Sequence, residues 1–346
     1  MQLPKSNKLP INLLAACFNH TVATYKYYWL LSIVESINSG DSIISKKDLF
    51  STMVSNAWYT VNYFHISFGK QDLIQDAIKA LSKIENISID EKKEKIFKKL
   101  SNSINSETNR TLLHFDKNVP HWFLSPWFPR QSEKIIYEKS KRFENDCLYA
   151  LNKEYIEVNP YWKDYIIENS KILKNFCYWN LVLFLQAKNP NVPDIPNKII
   201  KQPNRKSLNR QRIYFWDLFF SHTDNGYIKC IYSGKDLTIG DYAVEHFIPY
   251  SFVSHDLIWN LIPADKSFNS SKSDKLPPLE KYFNSFFTLQ KAAIEIVKDK
   301  DPNNALLEDY LTIFPNLDNS ISEEKFREVI QPLITIASNN GFEFLQ

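Results

Sequence analysis

Glu245, His246 and Asn269 are the residues of this chain whose types and spacing could do chemistry together. A carboxylate and an amide oxygen are hard ligands, which suit an octahedral, partly hydrated Mg²⁺ or Mn²⁺ better than Zn²⁺. A neutral imidazole, with an unperturbed pKa of about 6.5, can take a proton from water near neutral pH. A cation held beside it would polarise a phosphate and stabilise its leaving oxygen. The three groups therefore suit metal-assisted hydrolysis of a phosphodiester, with His246 as general base. Taken singly, each has a plainer reading: a His next to a Glu on a strand is ordinarily a satisfied pair, and an Asn near a helix is ordinarily a cap or turn residue. His20, His65, His114, His121 and His222 show no metal-ligand spacing and default to structural roles, and His255 reads as a loop residue.

The elements that must position these groups lie between Tyr227 and Leu276. Tyr227 to Ile231 alternates bulky residues and closes on Ser233 and Gly234, and Tyr242 to Ile248 is a second apolar run stopped by Pro249. The two predict a short hairpin. Pro263 to Ser273 has the composition of a short helix, which places Asn269 on a helix that packs across the second strand. Neighbours on a regular strand point to opposite faces, so Glu245 and His246 share a site only where the strand bends, bulges or ends. Pro249 supplies an ending.

At these positions the chain resembles the HNH (ββα-metal) endonuclease family, and within it the HNH domain of the RNA-guided CRISPR nucleases. The residues that carry the likeness are Val244-Glu245-His246, Pro249, Ser251-Phe252, Asn260-Leu261, Asn269, Lys272-Ser273-Asp274 and Pro277, with Cys230 to Leu237 resembling the lead-in hairpin. It covers roughly residues 205 to 280. The resemblance implies His246 as general base, Glu245 and Asn269 as ligands of Mg²⁺ or Mn²⁺, Asn260 as a hydrogen-bonded brace of the loop, and Lys272 facing the scissile or a neighbouring phosphate. It also implies a DNA substrate cut in one strand. Two departures stand out. The family more often has Asp where this chain has Glu245, and paired CxxC zinc knuckles are missing around Cys230, so no structural zinc is expected.

Composition places limits on the rest. The chain has 346 residues, 44% of them apolar and 14% aromatic, which is ample for a core, while only 6 glycines argue against a Gly-rich β or phosphate-loop protein. A mainly α-helical protein is expected. A formal net charge of +3 leaves nucleic-acid binding to local basic patches. Cys17, Cys147, Cys177 and Cys230 are scattered, as suits free thiols in a reducing compartment. The opening MQLPKSNKLPINLL does not read as a signal peptide, and the most apolar run, Tyr178 to Ala187, is about half the roughly 20 residues a membrane span needs. A cytoplasmic protein without membrane contact is the expectation.

In chain order, residues 1–190 predict a helical domain of unknown role. Helical spacing runs through Leu9 to Ile37, Ser45 to Asn56 with Ser45 as cap, Lys70 to Ile84, Asp90 to Leu100, Ser132 to Leu151 and Asn159 to Ala187. Trp58 to Phe68 leaves helix and strand open. Phe115 to Arg130 reads as a structured loop packing Trp122, Phe123, Trp127 and Phe128, with a base-stacking or peptide surface as the alternative. The aromatic stripe from Tyr161 through Trp179 to Leu183 reads as core.

Residues 191–212 form a Pro/Asn-rich linker whose basic residues, Lys198, Lys201, Arg205, Lys206, Arg210 and Arg212, could track phosphates, a solvated linker being an equal alternative. Residues 213–282 are the expected nuclease module, entered by a short helix from Arg212 to Phe220, and 283–346 return to helices near Leu279 to Lys298, Asn304 to Thr312 and Glu323 to Ala337.

The reading is a metal-dependent DNA endonuclease, with bacterial restriction or phage defence as a setting. Three rivals stay open: an inactive module that binds nucleic acid or a partner, an RNA nuclease, and a nuclease gated by a helical region that senses a protein partner or modified DNA. The chain is shorter than a full RNA-guided nuclease, and no guide RNA is inferred.

Overall fold

The computed structural model describes residues 2–200, 203, 206–317 and 321–346. It is mainly α-helical, with three small sheets, and divides into two compact units: residues 1–190 with 195–203, and residues 191–194 with 204–346. Among the described residues no helix is long and apolar enough to cross a membrane.

The first unit opens with α1 (Ile11–Ala16) and α2 (Tyr25–Asn38), then β1 (Ile43–Ser45) and α3 (Lys46–Asn62). The single helix expected from Leu9 to Ile37 is broken between α1 and α2. Thr24 gives its backbone N–H and its hydroxyl to the Asp72 carboxylate, each at 2.6 Å, so that N–H cannot join a helix running on from α1. Asp72 also caps α4 (Leu73–Ile84) by accepting from the Ile74 N–H, and so ties two helices together. Ser45 caps α3 as expected, through the Asp48 N–H. The ambiguous stretch after Trp58 is helical to Asn62.

Short helices follow: α5 (Lys93–Ser101), α6 (Ser106–Leu113), α7 (Pro120–Phe123) and α8 (Glu133–Ser140). Phe123, Trp127 and Phe128 pack inward as anticipated, whereas Trp122 is 56% exposed. The helix expected to reach Leu151 stops at Ser140. Phe143, Asn145 and Asp146 take left-handed backbone angles, and β2 (Tyr149–Leu151) and β3 (Tyr155–Val158) follow. Every residue of β2 is buried, and a continuous apolar run of that kind cannot be told from a buried helix by periodicity. The strands form an antiparallel sheet in the order β1-β3-β2.

The long α9 (Pro160–Lys188) and α3 flank the buried α2, and α10 (Ile195–Ile200) completes the unit. The α9 stripe is only partly core: Trp162, Ile166, Leu173 and Phe176 are buried, while Tyr161, Ile172, Trp179 and Leu183 are exposed.

The second unit begins with α11 (Asn209–Gln211), a π-helical turn at Arg212–Trp216 and α12 (Asp217–Phe220). Next come β4 (Tyr227–Lys229) and β5 (Asp236–Thr238), which pair with each other. β6 (Ala243–His246), α13 (Tyr250–Val253), β7 (Leu261–Ala264) and α14 (Lys266–Lys272) follow. The strand partners differ from the expected hairpin: β6 pairs with β7, with Glu245 opposite Ile262 and His246 opposite Leu261. Pro263 thus lies in a strand, and the helix starts at the Asp265 cap, which accepts from the Phe268 N–H.

α15 (Leu279–Lys300) and α16 (Glu323–Asn339) close the unit. Phe286 of α15 stacks on Phe247 with ring centroids 3.8 Å apart, and Gln290 donates to the Leu261 carbonyl at 2.7 Å. α15 is therefore a floor under the β6–β7 pair. The tail adds to it, Leu276 donating to the Glu343 carbonyl and Leu345 to that of Leu276.

Candidate active site

β6 ends at His246, the condition under which neighbouring residues can serve one site. The turn beyond it is clamped by Asn260. The Asn260 amide oxygen accepts from the Ile248 N–H and its amide nitrogen donates to the Ile248 carbonyl, both at 2.8 Å, while the Phe247 N–H donates to the Asn260 carbonyl at 2.7 Å. Asn260 is fully buried, and its amide supplies a donor and an acceptor on two separate atoms, one for each backbone group of Ile248. Asn260→Ala would leave two buried backbone groups unpaired. It is expected to lower the unfolding free energy by about 2–4 kcal/mol, read as an earlier urea midpoint; an unmoved midpoint would remove the brace.

Glu245 points into the protein. Its Oε1 accepts from the Lys272 ammonium at 2.7 Å, and the same ammonium donates to the His246 carbonyl at 2.8 Å. Placing Lys272 against a phosphate is therefore not the arrangement seen: its side chain is 0% exposed and lies against Glu245. The physical reason is that a carboxylate drawn out of water needs a counter-charge, and the last turn of α14 offers one. Nearby, burial pushes the Tyr232 phenol well above its ordinary pKa and the charge of Glu245 adds to the effect. The Tyr232 hydroxyl is buried without a hydrogen-bond partner among the described residues.

Asn269 precedes Lys272 by one helical turn, which places it on the same face of α14. It is half-buried, and no hydrogen bond holds its side chain among the described residues.

His246 is largely buried. Its Nε2 lies 3.0 Å from Asp256 Oδ1, and its ring sits edge-on to Tyr250. Sequence reasoning missed Asp256. It sits in a loop without periodicity, and only its position ten residues beyond His246 could have drawn attention to it.

The structure divides the basic arm. Lys198 is buried within the first unit, where its carbonyl accepts from the Thr60 hydroxyl. Lys201 and Arg205 lie outside the described residues. Lys206 and Arg210 are exposed, and Arg212 is half-buried over the Tyr242 ring, with Asp217 at 3.9 Å.

Comparison with known proteins decides what the segment is. The family model described as HNH endonuclease matches residues 230–278. This stretch is an HNH endonuclease domain. The HNH domain holds β5, β6, β7 and α14, and with them Glu245, His246, Asn260, Asn269 and Lys272. Over 94 residues the chain is also 31% identical to the CRISPR-associated endonuclease Cas9 of Listeria innocua serovar 6a, an overlap of 26% of this chain and 6% of that protein. No solved structure matches. An HNH endonuclease domain supports nuclease activity in general, and among the described residues no three His, Cys, Asp or Glu side chains converge as a metal-holding group.

Proposed function

We propose that the chain is a metal-dependent endonuclease that hydrolyses DNA phosphodiester bonds, with His246 as general base and Glu245 and Asn269 as ligands of Mg²⁺ or Mn²⁺. The observation that carries this reading lies inside the HNH domain. Glu245 on β6 and Asn269 on the adjoining α14 offer hard oxygens, and His246 stands at the strand end beside them.

The donor set fits a divalent cation. Both groups are oxygen ligands, and Glu245 already holds one cationic group, the Lys272 ammonium. Two protein ligands suit a metal that keeps several waters. When bound, the cation would neutralise charge developing on the phosphate and its leaving oxygen. His246 would take the proton from the attacking water, Asn260 would keep the turn after β6 in place, and Lys272 would hold Glu245 while binding the His246 carbonyl. Exposed Lys206 and Arg210 precede the domain and would contact phosphates. Restriction or phage defence is a setting in which such an enzyme would act.

The buried Lys272–Glu245 pair favours a second reading, an HNH domain that binds nucleic acid without cutting it, since ammonium and metal compete for one carboxylate. The test is incubation of the full chain with supercoiled plasmid and with single-stranded RNA, each with Mg²⁺, with Mn²⁺ and with chelator. Nicked plasmid only in the presence of metal supports the DNA reading. RNA cut in preference to plasmid would replace it with an RNA nuclease, and binding without cleavage under every condition would support the second reading.

A further inference from the structure

The chemistry of His246 depends on which ring nitrogen carries its proton, and the structure sets the carboxylate of Asp256 against Nε2. A carboxylate can only accept, so in the 3.0 Å contact the Nε2 of His246 is the donor to Asp256 Oδ1, an arrangement that in the neutral ring leaves the lone pair on Nδ1. Asp256 is itself held in place. Its backbone carbonyl accepts from the Gln211 side chain at 3.2 Å. Two residues on, the Ile258 N–H donates to Asp309 Oδ2 at 2.8 Å, from the 3₁₀ turn Leu307–Thr312. Ser254, at the end of α13, adopts φ of +60°, a left-handed conformation uncommon outside glycine. The loop is thus pinned from the helical entry before the HNH domain and from the C-terminal segment after it.

We infer that Asp256 is the positioning residue of the reaction, locking the His246 ring and its proton on Nε2 so that Nδ1 faces the attacking water. The inference rests on His246 being the general base. It gives the C-terminal segment a task, because Asp309 keeps the loop that carries Asp256 in register with β6. A carboxylate that orients the base acts by removing unproductive ring positions, and a misplacement of about 1 Å at a reacting group costs on the order of 10²-fold in rate.

The experiment uses the full chain with ¹⁵N-labelled histidine, comparing wild type, His246→Ala, Asp256→Ala and Asp256→Glu by proton NMR and by plasmid cleavage. The wild type is expected to show a downfield, slowly exchanging ring N–H proton that disappears in both alanine variants. Asp256→Ala is expected to lose about 10²-fold in kcat with KM changed less than about threefold, and Asp256→Glu to recover part of that loss because it restores the acceptor. The proposal is overturned if the wild type lacks the downfield proton, or if Asp256→Ala turns over within about threefold of wild type while His246→Ala is dead. If His246→Ala itself retains wild-type turnover, the general-base reading fails instead, and the positioning role goes with it.

Discussion

His246→Ala is expected to reduce plasmid cleavage by a factor on the order of 10²–10⁴ while leaving the affinity for DNA within about twofold of wild type. The effect is local to the strand end. An alanine methyl cannot accept a proton, so the attacking water loses its base, whereas the fold loses only a partly buried ring held by Asp256 and packed edge-on to Tyr250. The Asn260 clamp uses backbone groups of residues 247 and 248 and is indifferent to the ring, so the strand end remains in place. Single-turnover cleavage and a gel-shift assay at matched salt separate the two quantities. Equal loss of binding and turnover would mean that the substitution had disturbed the fold, and unchanged turnover would remove His246 from the chemistry.

Lys272→Met is expected to destabilise the HNH domain strongly. It removes the ammonium from Glu245 while the carboxylate stays buried with 11% of its side chain exposed. Breaking a buried pair from one side costs about 3–5 kcal/mol. For a unit of this size that is a fall in melting temperature on the order of 10 °C. Adding Glu245→Gln to Lys272→Met takes away the stranded charge and is expected to recover much of the loss, since replacing both partners costs far less than removing one.

The same variants test the ligand assignment without any reference to cleavage. A divalent cation that binds Glu245 in the folded state supplies the missing positive charge, so Mg²⁺ should raise the melting temperature of Lys272→Met more than that of wild type. It should raise that of Lys272→Met/Glu245→Gln least. Equal shifts in all three proteins would show that Glu245 is not a ligand.

The local signals that survived folding were those whose cause lies within a turn or two of chain. Ser45 caps α3 because its hydroxyl reaches a backbone N–H three residues on, and α15 and α16 follow the apolar spacing of their own residues. Where an element depended on distant partners, local reading failed. Tyr149 to Leu151 became a strand because β3 was there to pair with it, and the helix expected from Leu9 was broken because Asp72 drew in the N–H of Thr24. Lys198, grouped by charge with the basic arm, was buried by its neighbours in the first unit.

The sequence by itself determined the helical character of the chain and the presence of the HNH domain, because a family's residue types and their spacing persist in the chain whatever its three-dimensional arrangement. Only the tertiary structure decided that β6 takes β7 as its partner, that Lys272 turns inward to Glu245, and that Asp256 holds His246. Each of these pairings joins residues across a loop whose closure is set by the packing of α15, Asp309 and Gln211 around it. Loop closure leaves no periodicity behind in a sequence, so the groups that orient the site become visible only when the chain is folded.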